Sequence, residues 1–441
     1  MLRKTLLIVI VIVVIAGGAA APLAWRPTIE PVPRPAAASF DPALVKRGGE
    51  LAAIGNCTTC HTAPGGRAFA GGLALPTPFG TIYSTNITPD EQTGIGAWSE
   101  EAFRRALWEG VDRGGRHLYP AFPYDHFTLI DERDVSALYA FLMTREPVTA
   151  PAPANKLPFP LNFRPLLAGW KLLFLHTGRF QPDPNQSAEW NRGAYLARGL
   201  AHCGACHTPR NAFGARKKDR AFAGGEAEGW TAYALDANSP APTRWDAAAL
   251  AFYLHNGWHR YHGVACGPMS EVIENLSTVQ SEEVKAIATY MASVAGPGSD
   301  ARRGKANAQA RQANGPGVAI YAAACATCHD AGRPPPYGGI DLARSTGPSG
   351  PTARNVIDVI LWGLPAQDEQ RRPVMPGFAG TLKDRQLADL LAYVRARFSD
   401  KQPWTDVDKD IRDARAGGSR IYPAPSPPSA PAAPGREEAR Q

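Results

Sequence analysis

Hydrophobic residues along the chain recur three to four positions apart, the spacing of an amphipathic helix, and the same succession occurs three times. In each repeat an apolar helical segment ends at a glycine, the residue favoured just beyond a helix C-terminus. These glycines are Gly110, Gly257 and Gly363. One further amphipathic helix is predicted after each of them, at about 132–143, 282–293 and 383–398. The pattern therefore predicts an all-α fold of three tandem units, and it requires no strand.

The repeats divide the 441 residues into three predicted domains, in line with a length of about 150 residues for one domain. We call them the first, second and third unit, and they comprise residues 41–146, 187–296 and 313–400. Asp41 and Pro42 mark the start of the first helix, because aspartate suits the N-cap and proline the first helical position.

The segments between the units differ in composition. Residues 26–40 are rich in proline and alanine and predict a tether, and residues 297–312 predict a polar linker. Residues 401–441 are predicted to form a disordered tail, since the chain becomes rich in proline, alanine and serine from about position 414. The linker 147–186 contains a run at 166–174 that is too apolar for a solvated connection. It is either a helix packed between two units or a patch for a partner subunit or a membrane surface.

The N-terminal segment 1–25 begins with Arg3 and Lys4 and continues as an almost unbroken apolar run. Roughly 20 apolar residues can span a bilayer, and the basic residues place the N-terminus in the cytoplasm. We therefore predict a membrane anchor, with the rest of the chain on the periplasmic side of the bacterial inner membrane. The alternative is a cleaved signal peptide, because the small residues before Pro22 resemble a cleavage site. Pro22 disfavours a cut after Ala21, but a cut after Ala20 stays open.

Each unit contains one copy of the motif Cys-x-x-Cys-His, a spacing typical of c-type haem attachment. The copies are Cys57-Thr58-Thr59-Cys60-His61, Cys203-Gly204-Ala205-Cys206-His207 and Cys325-Ala326-Thr327-Cys328-His329. On one helical turn the two thiols reach the two vinyl groups of a porphyrin, and the histidine binds its iron. Three copies with matching downstream features argue against a zinc site or a redox dithiol. The sequence therefore predicts three covalently bound haem c groups.

Six of the seven cysteines belong to these motifs, which leaves Cys266 alone and excludes a structural disulfide within the chain. Cys266 is either a buried small residue or a reactive thiol. The formal net charge of +7 gives little reason to expect nucleic acid. Six haem propionates would offset most of it, and no basic run accompanies a nucleic-acid motif.

Iron in a cytochrome c usually takes a thioether sulfur opposite the histidine, which raises the reduction potential. Met269 lies 12 residues after Gly257, and Met375 lies 12 residues after Gly363. Each is next to a proline in a predicted loop. We therefore predict that both methionines bind iron.

The first unit departs from this pattern, because the same spacing places Phe122 where the second unit has its methionine. Phenylalanine cannot bind iron. His126 could make a bis-histidine haem, and it is the first candidate. His117 or Met143 could serve instead, or the iron could stay five-coordinate.

These motifs and the stretch FAGGLALPTPFGTIYSTNITPDEQTGIGAWSEEAFRRALWEGVDRGGRHLYPAFPYDHF resemble a known family. It is the triple-haem cytochrome c subunit of membrane-bound periplasmic dehydrogenases of the alcohol, gluconate and sorbitol type, and the resemblance covers about residues 41–400. The motif cysteines, the motif histidines and both methionines match the family. The resemblance implies that the loop from Gly71 to Trp98 wraps the first haem. The family's usual methionine is Phe122 here, a variant that looks like cytochromes paired with molybdenum hydroxylases.

The combined prediction is an electron-transfer subunit that is not itself an enzyme. A separate catalytic dehydrogenase subunit, of the molybdenum, quinoprotein or flavoprotein class, would supply electrons, and ubiquinone or a terminal oxidase would accept them. One alternative is a peroxidase-like haem enzyme with an open first haem. Another is a carrier without a dedicated partner.

Overall fold

The computed structural model describes residues 22–296, 315–334, 338–366 and 372–418. Most of the predicted membrane segment, the linker 297–312 and the end of the predicted tail lie outside these ranges. Within them, no helix combines the length and the apolar character needed to cross a membrane.

Helices make up most of the secondary structure, as the hydrophobic spacing predicts. The helices of nine residues or more are Pro42–Ile54, Glu100–Glu109, Glu132–Met143, Leu166–Phe174, Ala188–Arg198, Ala247–Asn256, Pro268–Ser277, Ser281–Val294, Pro316–Ala324, Arg354–Trp362, Asp384–Phe398 and Val407–Gly417. The shorter helical turns are Ala37–Ser39, Cys57–Cys60, Tyr124–Phe127, Gly204–His207, Lys218–Arg220, Ala326–His329 and Thr346–Ser349. The three helices predicted to close the units are confirmed to within about one residue at each end.

The predicted helix ends are also confirmed. Asp41 caps the first helix by accepting a hydrogen bond from the Ala43 amide, and Pro42 follows it. Gly110 and Gly257 end their helices with φ of 63° and 76°, in the left-handed region that favours glycine. Gly363 also has a positive φ, of 69°. Local sequence signals therefore determine where these helices begin and end.

The expectation that no strand is required is wrong in detail. Three short antiparallel hairpins are present, and their strands are Ala74–Thr77 with Gly80–Tyr83, Gly225–Ala227 with Trp230–Ala232, and Trp258–His259 with Gly263–Val264. Each lies in a long connection between helices, where pairing satisfies backbone groups that no helix uses. The fold is thus mainly helical with small hairpins in the loops.

In each unit the helix before the Cys-x-x-Cys-His motif crosses the closing helix at a glycine. The glycine and carbonyl pairs are Gly48 with Ala137, Gly193 with Ala286 and Gly317 with Asp389, where a Cβ on the glycine would lie 1.9, 1.9 and 2.2 Å from the carbonyl oxygen. Only a residue without a side chain permits this approach. The repeated crossing brings the start and the end of each unit together beside its motif.

The hydrophobic core does not follow three equal divisions. Leu51 of the first unit and Leu196 and Ile287 of the second belong to one continuous cluster. The third unit has its own cluster, which includes Ile357 and Leu391. The division into three domains therefore stays a prediction, and the first two units share a core.

Two predicted connections differ from expectation. The tether at 26–40 is bound to the first unit, where the Ile29 amide donates to the Arg113 carbonyl and Arg26 pairs with Glu109 at 2.6 Å. The tail predicted from 401 contains the helix Val407–Gly417, whose Ile411 is fully buried against the third unit. Composition predicts solvation, but these backbone and apolar contacts hold both segments on the protein.

Candidate haem sites

The three Cys-x-x-Cys-His motifs occupy equivalent places. Each forms a single helical turn that follows the first helix of its unit, at Cys57–Cys60, Gly204–His207 and Ala326–His329. All six motif cysteines are unpaired. One helical turn is the arrangement in which two thiols can reach one porphyrin.

The motif histidines share one hydrogen bond that the sequence does not reveal. Nδ1 lies 2.6 Å from the Thr85 carbonyl in His61, 2.7 Å from Tyr233 in His207 and 3.0 Å from Ile340 in His329. A carbonyl only accepts, so Nδ1 carries the proton and Nε2 is left free for a metal. Burial lowers the pKa of all three imidazoles, which keeps them neutral.

The backbone bears out the spacing that relates Phe122 to Met269. The Leu118 amide donates to the Gly110 carbonyl at 2.7 Å, and the Ala265 amide donates to Gly257 at the same distance. Phe122 and Met269 each come four residues after that amide. The two side chains therefore hold the same place in their units, although only methionine has a donor for iron.

Met375 lies in a loop whose backbone hydrogen bonds differ from those before Met269. Its backbone pairs with Leu364 through two hydrogen bonds of 2.8 and 3.0 Å, so the loop closes at the methionine itself. The side chain is partly buried against the core of the third unit. Ligation of iron by Met269 and by Met375 stays a prediction.

Two candidates for the missing ligand of the first unit are already engaged. His117 has Nε2 2.9 Å from the Leu23 carbonyl and Nδ1 3.0 Å from Nζ of Lys171. Met143 is fully buried in the core cluster at the end of its helix. Both ring nitrogens of His117 are therefore occupied, and ligation by Met143 stays a prediction.

His126 differs from both. Its Nδ1 lies 2.6 Å from the Arg198 carbonyl, and its buried Nε2 has no partner among the described residues. Burial lowers its pKa to about 3, so the ring is neutral. This is the arrangement seen in the three motif histidines. However, the ring also packs edge-on against His202 beside the second motif, and its role as an iron ligand stays a prediction.

The first and second attachment turns touch each other. His202, just before Cys203, has Nε2 3.3 Å from the carbonyl of Gly55. Asn275 donates through Nδ2 to Asn56 at 2.9 Å and to Thr59 at 3.1 Å. Met269 is the second residue of the helix Pro268–Ser277, so its predicted place in a loop is wrong, and this helix is thereby bonded to the first Cys-x-x-Cys-His turn.

Electrostatics also indicate that the two turns are close. Burial, together with the neighbouring Glu271, Glu228 and Cys206, raises the pKa of the Cys60 thiol to about 12. One of these neighbours, Cys206, is the corresponding cysteine of the second motif.

The second and third units are also in contact. Thr231 and Asn355 form a reciprocal pair, in which the Thr231 amide donates to Oδ1 and Nδ2 donates to the Thr231 carbonyl, each at 2.9 Å. Trp230, Cys266 and Leu364 form a small buried cluster against which Met375 packs. Burial raises the pKa of Cys266 to about 12, which fits a packing role for this thiol.

One buried cation lacks the acceptors that it requires. Arg372 is 4% exposed, and none of its three guanidinium nitrogens has a hydrogen-bond partner among the described residues. It reaches from the third unit to Gly257 and Cys266 of the second. A buried guanidinium without hydrogen-bond acceptors is costly, and haem propionates are suitable acceptors. The residues therefore fit haem: cysteines for attachment, histidines for iron and Arg372 for a propionate.

Sequence reasoning found the motifs but missed Arg372 and Asn275. Neither belongs to a local pattern, because each acts on a different unit from its own. The groups that accept from the motif histidines are the backbone carbonyls of residues 85, 233 and 340. Every residue has such a carbonyl, so the sequence does not indicate them.

Comparison with known proteins agrees with this chemistry. A family model described as cytochrome C oxidase, cbb3-type, subunit III matches residues 312–394. A nicotinate dehydrogenase subunit of Pseudomonas putida is 46% identical over 399 residues, covering 89% of this chain and 34% of that protein. The chain thus spans about a third of that relative.

Two other relatives match along most of their own length. The fructose dehydrogenase cytochrome subunit of Gluconobacter japonicus is 35% identical, covering 88% of this chain and 86% of the relative. The gluconate 2-dehydrogenase cytochrome c subunit of Pantoea cypripedii is 36% identical, covering 85% of this chain and 90% of the relative.

Proposed function

This chain belongs to the cytochrome c subunits of dehydrogenase complexes, and from that premise we propose that it carries three haems and passes electrons from a catalytic subunit to ubiquinone or a terminal oxidase. Haem c supplies reversible one-electron chemistry when it is bound. The chain supplies the attachment, the axial donors and the spacing between the sites.

The observation that carries the proposal is the hydrogen bonding of the second unit to both of the others. Asn275 bonds the second unit to the first motif, and the Thr231–Asn355 pair bonds it to the third unit. A carrier with three centres requires fixed separations between neighbours, and contacts of this kind support such an arrangement. The second unit is then the middle of the relay.

We propose a catalytic partner that acts on a nicotinate-type substrate. The support is the 46% identity to the nicotinate dehydrogenase relative, against 35% and 36% for the fructose and gluconate relatives. A molybdenum hydroxylase is the partner class that the Phe122 variant favours. Placement on the periplasmic side of the inner membrane, by an anchor in residues 1–25, belongs to the same proposal.

The rival reading as a peroxidase-like enzyme requires an acid or base beside an open iron. His117 is poorly suited to that role, since both of its ring nitrogens are engaged, whereas His126 has a free Nε2 that could serve. The relay is preferred because it also uses the second and third motifs.

The test is purification of the full chain together with the subunits that bind it. We expect three haems per polypeptide in a pyridine haemochrome assay. When nicotinate is added to the complex, we expect the absorption spectrum to change from that of ferric to that of ferrous haem. Fewer than three haems would contradict the relay. Peroxide turnover by the isolated chain, without a catalytic partner, would support the rival.

A further inference from the structure

Exposed apolar side chains are concentrated on one face of the described protein. Of the eleven large hydrophobic residues that are exposed there, nine belong to this face: Leu23, Trp25, Phe159, Leu161, Phe163, Leu166, Leu172, Leu173 and Phe213. We call these nine residues the apolar face. The other two, Phe252 and Val374, lie in different segments of the chain. Monomeric proteins rarely expose so large a contiguous patch without a partner for it.

Hydrogen bonds hold these separate segments together. The Leu161 carbonyl accepts from the Tyr119 hydroxyl, and the Leu23 carbonyl lies 2.9 Å from Nε2 of His117. Trp170 donates through Nε1 to the Phe213 carbonyl at 2.9 Å. Three distant parts of the chain are thus fixed beside one another.

The helix Leu166–Phe174 exposes its leucines and buries its charged residue, the reverse of a helix that faces water. Leu172 and Leu173 are 74% and 67% exposed, and Leu166 on the same side is 52% exposed. Lys171, its one charged residue, is buried and donates to the carbonyls of Glu109 and Gly110 at the end of another helix. A helix in water normally does the opposite. This side of the helix is therefore built for an apolar medium.

The stretch of chain that carries most of the apolar face is basic. Between Glu146 and Asp183 the chain has four basic residues and no acidic residue. Lys218, near Phe213, lies 2.8 Å from the ring of His176, which follows the same helix. Leucines with aromatic and basic neighbours are typical of surfaces that enter the headgroup region of anionic phospholipid.

We propose that the apolar face lies on the outer surface of the bilayer and sinks the side of Leu166–Phe174 into the headgroup region. The occupant is argued from continuity, since Leu23 and Trp25 stand at the end of the segment 1–25 that the sequence assigns to the membrane. A chain that leaves the bilayer near residue 25 holds this face beside it. The inference rests on the proposed membrane placement and adds a second, independent contact.

The experiment uses the full chain, loaded with haem, in nanodiscs of phosphatidylcholine and phosphatidylglycerol that contain a phospholipid with a photoreactive acyl chain. After illumination, labelled peptides are identified by mass spectrometry. We expect label in residues 159–173 and at Phe213. Phe252, which is 41% exposed, is the internal control and should stay unlabelled.

Two variants sharpen the test. L172E combined with L173E should reduce label in 159–173 by about tenfold or more, since burial of one leucine corresponds to about one factor of ten in partitioning. F252E is the matched control and should leave the labelling unchanged. Haem content and circular dichroism of both variants should equal those of the parent.

The outcomes separate the two proposals. Label confined to the N-terminal segment would overturn the role of the apolar face and leave the anchor standing. Absence of label everywhere would overturn the membrane placement itself. If binding of the catalytic subunit removes the label from 159–173, the face belongs to that subunit and the lipid contact is wrong.

Discussion

At position 122 the chain has a phenylalanine where the same backbone position of the second unit holds Met269, and this single difference sets the first site apart. Thioether ligation raises the reduction potential of haem iron, so the first haem should have the lowest potential of the three. Such a centre is suited to receive electrons directly from the catalytic subunit. We expect a redox titration that resolves the three centres to place it lowest.

Phe122→Met should restore the donor and raise the potential of that haem, with a new charge-transfer band of methionine-bound ferric iron. Phe127→Met is the control, because Phe127 packs against Phe122 at 5.3 Å between ring centres but stands outside the ligand position. A Phe122→Met variant with the parent spectrum and potential would show that position 122 does not face the iron.

His126 provides a second test at the same site. If its free Nε2 binds the first iron, the ferric haem is low-spin in electron paramagnetic resonance, and His126→Ala makes it high-spin. His117→Ala is the comparison and should keep the spin state, since both nitrogens of His117 bind other groups. An unchanged spin state in His126→Ala would leave His126 as a packing residue between the first two units.

Arg372 is expected to tune the potential of the haem whose propionate it binds. Arg372→Met removes a buried cation that favours the reduced, more electron-rich centre. We expect that potential to fall, because the lost positive charge stabilises the reduced centre more than the oxidised one. Arg372→Lys keeps the charge and should recover most of the shift. Equal potentials in Arg372→Met and the parent would place the guanidinium away from any haem.

Among the helices, the glycine crossing is the feature with the clearest energetic consequence. In Gly193→Ala the new methyl group would lie 1.9 Å from the Ala286 carbonyl, so the two helices must move apart. Overpacking of this kind costs about 1–3 kcal/mol. We expect a lower midpoint of chemical unfolding for the haem-loaded protein.

The matched control is Gly169→Ala, in the helix Leu166–Phe174. Apart from its own helix, no described atom lies within 4 Å of the position of that methyl group, and alanine is the better helix former by about 1 kcal/mol or less. Its midpoint should stay the same or rise. Equal midpoints in the two variants would mean that the two helices can move apart without loss of stability.

The helices that close the units could be predicted because each has a long apolar period of its own. The hairpin Trp258–His259 with Gly263–Val264 could not, since two-residue strands have no alternation to detect. The helix Val407–Gly417 escaped for a related reason: Ile411 and Ala414 are its only buried residues, and one apolar pair gives no period. Pairing with the rest of the molecule, which is absent from local sequence, decides these elements.

For the whole molecule, the sequence predicts three equal units but not how they combine. The repeats carry no information on the contacts between them. Arg47 of the first helix pairs at 2.7 Å with Glu283 in the closing helix of the second unit, and Arg192 pairs with the same carboxylate. These partners are about 90 or more residues apart in the chain.

The first two units should therefore unfold as one body, because they share a hydrophobic cluster and these ion pairs. We expect amides in Pro42–Ile54 and Ser281–Val294 to exchange hydrogen with the same free energy of opening, and those in Asp384–Phe398 with a different one.

Asn275→Ala tests this coupling, because it removes the bonds to Asn56 and Thr59, each worth about 1 kcal/mol. The substitution should lower protection in Pro42–Ile54 and in Ser281–Val294 together. Asn256→Ala, whose amide bonds only within its own helix, should not. Protection lost in one helix alone would show that the two units open independently and that their contact fixes no distance between the sites.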